Sequence, residues 1–175
     1  MFDQAYIDYL IHFHADRDYF ECHEVLEEHW KEDPPGKRKA YWVGMIQIAV
    51  SLYHQRRNNF TGAERMMESA LHILQAKREE IRLLGLDDHE LIQILSKRLK
   101  SIQKNEPYES IHLPINNREL MNVCVEKAKD KNLTWGAVSD LTDSFLVHKH
   151  KLRDRKDVIA ERKKMSILKN KSRGK

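Results

Sequence analysis

Six side chains carry most of the chemistry this sequence can offer: His23, Glu24 and Glu27 in one stretch, and Gln47, Ser51 and His54 in the next. The first three lie within Phe20-Glu21-Cys22-His23-Glu24-Val25-Leu26-Glu27-Glu28-His29-Trp30. On a helix, His23 and Glu27 share a face with Tyr19, Leu26 and Trp30, because side chains three and four apart are neighbours. Gln47, Ser51 and His54 share a face with Ala40, Gly44 and Asn58 by the same spacing. If the two helices pack antiparallel, an imidazole and a carboxylate from one meet an amide and an imidazole from the other. His23, Glu27 and His54 then form a three-ligand set for zinc or another divalent ion. Such a set leaves one position for water, whose pKa falls far enough to give hydroxide near neutral pH. Glu24, about 100° round the helix from His23 and toward the rim, is the candidate catalytic base.

The same residues allow two other outcomes. They can line a pocket for an organic ligand, or they can hydrogen-bond one another and set the register between two apolar helices. Left unpaired, each buried polar group would cost about 1–3 kcal/mol. The spacing also departs from known metal helices. A zincin needs H-E-x-x-H, and the fifth residue here is Glu27. A di-iron bundle needs Glu-x-x-His on two helices, and these two carry none. Ser51 and His54, three apart, have no third residue or oxyanion device with them.

The elements that must position these groups follow from periodicity and punctuation. A short helix is expected over 3–14. A second, over 18–32, is capped by Asp16 or Asp18 and stopped by Asp33-Pro34-Pro35-Gly36. The helix over 37–57 is apolar nearly all round, which makes it the buried central element. Gly44 in its interior costs about 1 kcal/mol relative to Ala and predicts close approach of a neighbour. Further helices are expected over 61–80, 87–104 and 117–130, with a loop from Pro107 to Pro114. The pairs His12/His14 and His148/His150 read as surface residues.

Bulk composition agrees with a helical class. The chain has 175 residues, 41% hydrophobic and 33% charged, with only six Gly and four Pro. No apolar run reaches the roughly 18 residues of a membrane span, and Met1-Phe2-Asp3-Gln4-Ala5-Tyr6 is not a secretory signal. Cys22 and Cys124 read as reduced thiols of a cytoplasmic protein. The net charge of +4 is unevenly spread. Residues 149–175 hold 12 Lys/Arg against 3 Asp/Glu, giving +9, and the remainder holds 19 against 24, giving −5.

Three blocks carry a resemblance. His23-Glu24-Val25-Leu26-Glu27-Glu28-His29-Trp30 fits H-E-x-L-E-x-x-W. Trp42-Val43-Gly44-Met45-Ile46-Gln47-Ile48-Ala49-Val50, with Tyr53-His54, fits a buried G-x-I-Q-x-A helix ending near a histidine. Asn59-Phe60-Thr61-Gly62-Ala63 fits a G-A helix start. Together, over about residues 16–80, they resemble the bacterial and archaeal family called domain of unknown function 309. The resemblance implies a small all-α fold, with the region beyond about 115 as an extension found in some bacterial members. Some members carry the label of a metal-dependent hydrolase, drawn from the His-Glu motif.

The expected architecture is therefore all-α: a compact bundle of about five helices with a basic C-terminal extension. Residues 1–115 form the helical core domain, 116–147 a packed helical extension, and 148–175 a basic, partly disordered tail. The expected function is a His23/Glu27/Gln47/His54 cluster that binds a metal such as zinc or a small ligand, for hydrolysis at most. The competing expectation is a non-enzymatic helical module for a protein or peptide partner, because Tyr53 to Leu74 also looks like one tetratricopeptide-type hairpin. The tail could hold nucleic acid by counterion release, without interleaved aromatics to read sequence.

Overall fold

The computed structural model describes residues 1–152, 159–160 and 162–167. The architecture is all-α. Helix α1 (Gln4–Ile11) runs into a π-helical turn (His12–Asp16), followed by α2 (Tyr19–Glu32), a 3-10 turn (Pro35–Lys37) and α3 (Ala40–Arg56). Then come α4 (Phe60–Gln75), α5 (Arg78–Leu83), α6 (Asp88–Gln103), α7 (Arg118–Asp130), α8 (Ser144–Val147) and α9 (Lys149–Leu152). None of the helices is long and apolar enough to cross a membrane, among the described residues.

The helix starts are set by side-chain caps. Asp18 accepts from the Glu21 amide at 3.1 Å, and Asn59, Asp87 and Asn117 do the same for α4, α6 and α7. Asn58, Asn105 and Asn132 leave α3, α6 and α7 in the left-handed region, which asparagine tolerates.

Helix α3 is the centre. It packs on α2 along one side and on α4 along another, and Met45, Ile48, Ala49 and Leu52 have no solvent exposure. Burial of each such large aliphatic side chain stabilises the fold by about 1.5–3 kcal/mol relative to exposure. The α2–α3 hairpin is antiparallel: His29 at the end of α2 meets Trp42 at the start of α3, with ring centroids 5.3 Å apart. Phe20 at the start of α2 meets Tyr53 near the end of α3, at 6.3 Å. The α3–α4 pair is also antiparallel, since Gly44 lies against Leu74 and Ser51 against Ala63. Helix α6 packs on α4, and α7 on α1. Leu120, Cys124 and Ala128 of α7 belong to the same hydrophobic cluster as α1 to α6.

A bundle of about five helices is too coarse. The described residues hold nine α-helices through Leu152, with helical backbone again at 162–167. The helix expected over 61–80 breaks after Gln75 and resumes at Arg78, although no Gly or Pro marks the break. The turn brings Ile81, fully buried, back onto the core. Helix α8 lies at the end of the stretch expected as a packed helical extension, and α9 at the start of the stretch expected as tail. Asp143 caps α8 by accepting from the Leu146 amide at 3.1 Å, and Val147 buries its side chain. Lys149 and His150, at the start of that tail, are both fastened to the body. The expected disorder falls on residues 153–158, 161 and 168–175, which lie outside the described residues.

Candidate functional site

The antiparallel hairpin brings Tyr19, Phe20 and His23 of α2 opposite Val50, Tyr53 and His54 of α3, around a cavity of about 200 Å³. Arg57, just past the end of α3, and His150 of α9 complete its lining. The walls are aromatic and aliphatic, and the lining residues carry three imidazoles, two phenols and one guanidinium. The Tyr53 hydroxyl lies 2.6 Å from His150 Nδ1 and accepts from the His150 amide at 3.1 Å. The Arg57 guanidinium sits 5.3 Å over the Tyr53 ring, a cation–π distance. Its buried Nε has no hydrogen-bond partner among the described residues.

Burial lowers the pKa of His54, helped by Arg57 and Arg65. Burial also lowers that of His150, to about 4, with Arg57, Lys151 and His148 adding repulsion. Both rings are therefore neutral near pH 7 and present a lone pair, which suits a metal ligand or a hydrogen-bond acceptor.

His23 stands at the edge of this cavity, with about a third of its side chain exposed. Its Nδ1 is 2.9 Å from Glu24 Oε1, and its Nε2 is 3.7 Å from Glu27 Oε2. Glu24, with 41% of its side chain exposed, is not among the cavity's lining residues, and its carboxylate bends to the ring beside it. Lys31 pairs with the other oxygen of Glu27 at 3.1 Å. The ligand atoms of His23, Glu24 and Glu27 all lie within 4.8 Å of one another. His54 is not in that group; it lines the cavity with His23 and has its Nδ1 3.1 Å from Asn59 Nδ2.

The polar line of α3 does not face α2 along its length. A Cβ on Gly44 would come within 2.8 Å of Leu74 Cγ on α4. Ser51 is fully buried and donates to the Ala63 carbonyl of α4 at 2.7 Å. Those two residues mark the closest approach of α3 to α4, not to α2. Gln47 lies between them, and its buried Oε1 has no hydrogen-bond partner among the described residues. Of the residues expected to meet, only His23 and His54 share the cavity.

A second polar cluster, absent from the sequence expectations, lies under the loops that follow α6 and α7. Arg17 is fully buried in the left-handed region at φ 57, a conformation that costs a non-glycine residue about 1–2 kcal/mol. Its guanidinium donates to the carbonyls of Phe13, Ile111 and Ala137 at 2.9, 2.6 and 2.7 Å. Arg56 donates to the Arg17 carbonyl at 2.7 Å and to Ser139 Oγ at 3.1 Å, and lies 4.7 Å over the Tyr19 ring. Tyr108 Oη is 2.5 Å from Tyr19 Oη and 2.8 Å from Ser139 Oγ. Every strong contact of these arginines goes to a carbonyl, a hydroxyl or a ring face, so the cluster clamps the 108–113 and 137–146 loops to the body. His14 is not a surface residue. It is 1% exposed and stacks on Trp135 at 4.6 Å with planes 5° apart. His12 is half-buried, with Nδ1 3.0 Å from Asp16. The π-helical turn, which adds a residue to the helical ladder, turns this segment so that His14 and Arg17 point inward. No residue type in His12-Phe13-His14-Ala15-Asp16-Arg17 announces it.

A family profile described as "Domain of unknown function (DUF309)" matches residues 6–66. An uncharacterized protein YpuF of Bacillus subtilis (strain 168) is 51% identical over 173 residues, covering 99% of this chain and 99% of that one. The likeness therefore includes α7 to α9 and the basic run, beyond the segment the profile describes. No solved structure matches the chain. The H-E-x-L-E-x-x-W helix, the buried helix that faces it across the cavity and the match over 6–66 lead to one statement: the chain belongs to the family of domain of unknown function 309.

Proposed function

We propose that this protein binds a small ligand in the cavity between α2 and α3, with a divalent metal ion held at its edge by His23, Glu24 and Glu27. The observation that supports it is the position of His23, which belongs both to the three-residue ligand group and to the cavity lining. One ligand atom from each of the three residues lies within 4.8 Å of the others, against an edge of about 3.3 Å for a zinc tetrahedron with about 2.0–2.1 Å bonds, so a small rotation of the two carboxylates would close the group on a metal. A metal with three protein ligands keeps a place for water and makes it nucleophilic, so hydrolysis of the cavity's ligand is the matching reaction class. Glu24 acts here as a ligand rather than as the base. At about 200 Å³ the cavity is smaller than the roughly 300–1,000 Å³ of drug-sized sites, so the ligand is small. Tyr19, Phe20, Val50 and Tyr53 favour an apolar body, and Arg57 favours an anionic end. The setting is a reducing bacterial cytoplasm, supported by the free, buried thiols of Cys22 and Cys124 and by the Bacillus relative.

Elemental analysis of protein purified without a histidine tag tests this reading. One metal per chain, lost in His23→Ala and in Glu24→Gln/Glu27→Gln, is the expected result. Metal-free protein that also takes up no zinc, manganese or iron on dialysis sinks it.

A second reading has its own observation. His23, Ser51 and His54 each find a protein partner without any metal, which supports a non-enzymatic helical module in which these groups are structural. In that case His23→Ala lowers the melting temperature and changes nothing else.

A further inference from the structure

A groove of about 700 Å³ lies between α6 and the 106–112 segment, and it shares no lining residue with the α2–α3 cavity. Glu90, Ile94, Lys97, Arg98, Ser101 and Lys104 line it from α6, at spacings that put them on one helix face. The C-terminal half of that face is cationic. Among the described residues, no carboxylate lies within ion-pair distance of Lys97, Arg98, Lys100 or Lys104, while every ion pair present involves other cations.

Arg98 is the unusual member. It is only 9% exposed, yet its one side-chain hydrogen bond among the described residues is a long one, 3.4 Å from Nη1 to Gln55 Oε1. Gln55 is itself fully buried and donates from Nε2 to the Glu106 carbonyl at 3.1 Å. That second bond fixes which way the amide points and ties the groove's two walls together. The guanidinium is thus held by a neutral acceptor, and the residue that carries it lines the groove. A buried charge without a counter-ion is costly, and an anion in the groove would supply one.

The composition of the groove narrows the anion. A guanidinium fork matches carboxylate or phosphate. Three flanking lysines and the Ser101 hydroxyl favour the more highly charged phosphate. The opposite side carries Glu106 and Glu109, with Glu90 at the far end. These would repel a bare polyanion, but they would accept hydrogen bonds from hydroxyl or amino groups. The volume lies within the roughly 300–1,000 Å³ of small-molecule sites.

We infer that this groove binds a phosphate ester of a small, donor-rich molecule such as a sugar, amino sugar or nucleoside, with the phosphate on Arg98, Lys97 and Ser101 and the body toward Glu106 and Glu109. The full-length protein is titrated by calorimetry with sugar phosphates, amino-sugar phosphates and nucleoside monophosphates, each at up to about 1 mM. Inorganic phosphate and an acidic hexapeptide serve as comparison probes. At least one ester binds one-to-one, and its affinity falls about tenfold or more in both Arg98→Met and Lys97→Gln/Lys100→Gln/Lys104→Gln. The three lysines are exposed, so the triple variant keeps its fold even where the Arg98 variant does not. Absence of heat from every ester overturns the inference. So does binding that survives the triple substitution, which would belong to the basic run after 152. Inorganic phosphate or the peptide binding as tightly as the best ester overturns it as well.

Discussion

Lys149 Nζ lies 2.6 Å from Asp18 Oδ2, while Oδ1 of the same carboxylate caps α2 by accepting from the Glu21 amide. The lysine also reaches Glu21 at 2.8 Å. One aspartate therefore starts the helix that carries His23 and anchors the turn that carries His150. Burial pulls the Lys149 pKa down, but the hydrogen bonds to Asp18 and Glu21 outweigh it and leave the ammonium held above its usual range. Lys149→Met should cost about 1–2 kcal/mol, more than an exposed pair, because only 15% of its side chain reaches solvent. Limited proteolysis should show faster cleavage between Val147 and Leu152. Unchanged cleavage there would mean the pair does not hold α9.

His14 gives a pH dependence of defined sign. Neither ring nitrogen has a hydrogen-bond partner among the described residues. Burial, then the Arg17 charge, lowers its pKa to about 3. The unfolded chain takes up this proton near pH 6.5, and the folded chain does so only near 3. Between those values acid favours the unfolded state, so stability is complete above about 6.5 and falls by up to about 1.4 kcal/mol per unit below it. His14→Phe keeps a ring against Trp135 and removes both nitrogens. The stability of the variant relative to the parent should rise by about 1–2 kcal/mol between about pH 7.5 and about pH 5 in urea titrations. His12 titrates in the opposite sense, because its bond to Asp16 raises its pKa despite burial, but it is common to both proteins and cancels. Parallel stability–pH slopes for the two would refute the assignment.

What the sequence discloses is local chemistry, and what it conceals is direction. Asp18, the stop at Asp33-Pro34-Pro35-Gly36 and the all-apolar 37–57 stretch place α2 and α3 within a few residues, because caps, breakers and propensity act on the segment itself. A helix apolar all round has no phase, however, so nothing says which neighbour receives the Gly44–Gln47–Ser51 line. Small residues there mark the nearest helix, and that helix is α4. Lys149 and His150 sit in a charged run that reads as solvated, and their contacts are over 90 residues distant. Arg17 and Arg56 belong to a residue type that is almost never fully buried unless paired. Only the folded loops supply the carbonyls that make their burial tolerable.

The α3–α4 crossing makes a packing prediction. Alanine at 44 would place a Cβ 2.8 Å from Leu74 Cγ and 2.9 Å from Leu74 Cδ2. Overpacking of this kind costs about 1–3 kcal/mol, against at most about 1 kcal/mol returned by helix propensity. Gly44→Ala alone should therefore destabilise. In a Leu74→Ala background, where the two closest contacts are gone and Ile73 Cγ2 at 3.3 Å remains, it should cost clearly less or stabilise. A double-mutant cycle measures the difference, and equal effects in both backgrounds would show that the two residues do not meet.

Arg56 separates charge from geometry. Its guanidinium spans the Arg17 carbonyl, Ser139 Oγ and, at 3.4 Å, the Leu146 carbonyl, while stacking over Tyr19. Lysine preserves the charge but carries one donor group where three directions are needed. Arg56→Lys should lose at least about 2 kcal/mol, since buried carbonyls and the Ser139 hydroxyl lose a charged donor together. Ser139→Ala removes only one of these contacts and should cost about 1 kcal/mol. Hydrogen exchange should locate the Arg56→Lys effect in residues 137–147, the loop that the side chain fastens. A loss spread evenly over α1 to α7 would make Arg56 an ordinary core residue and remove the clamp from the account of this fold.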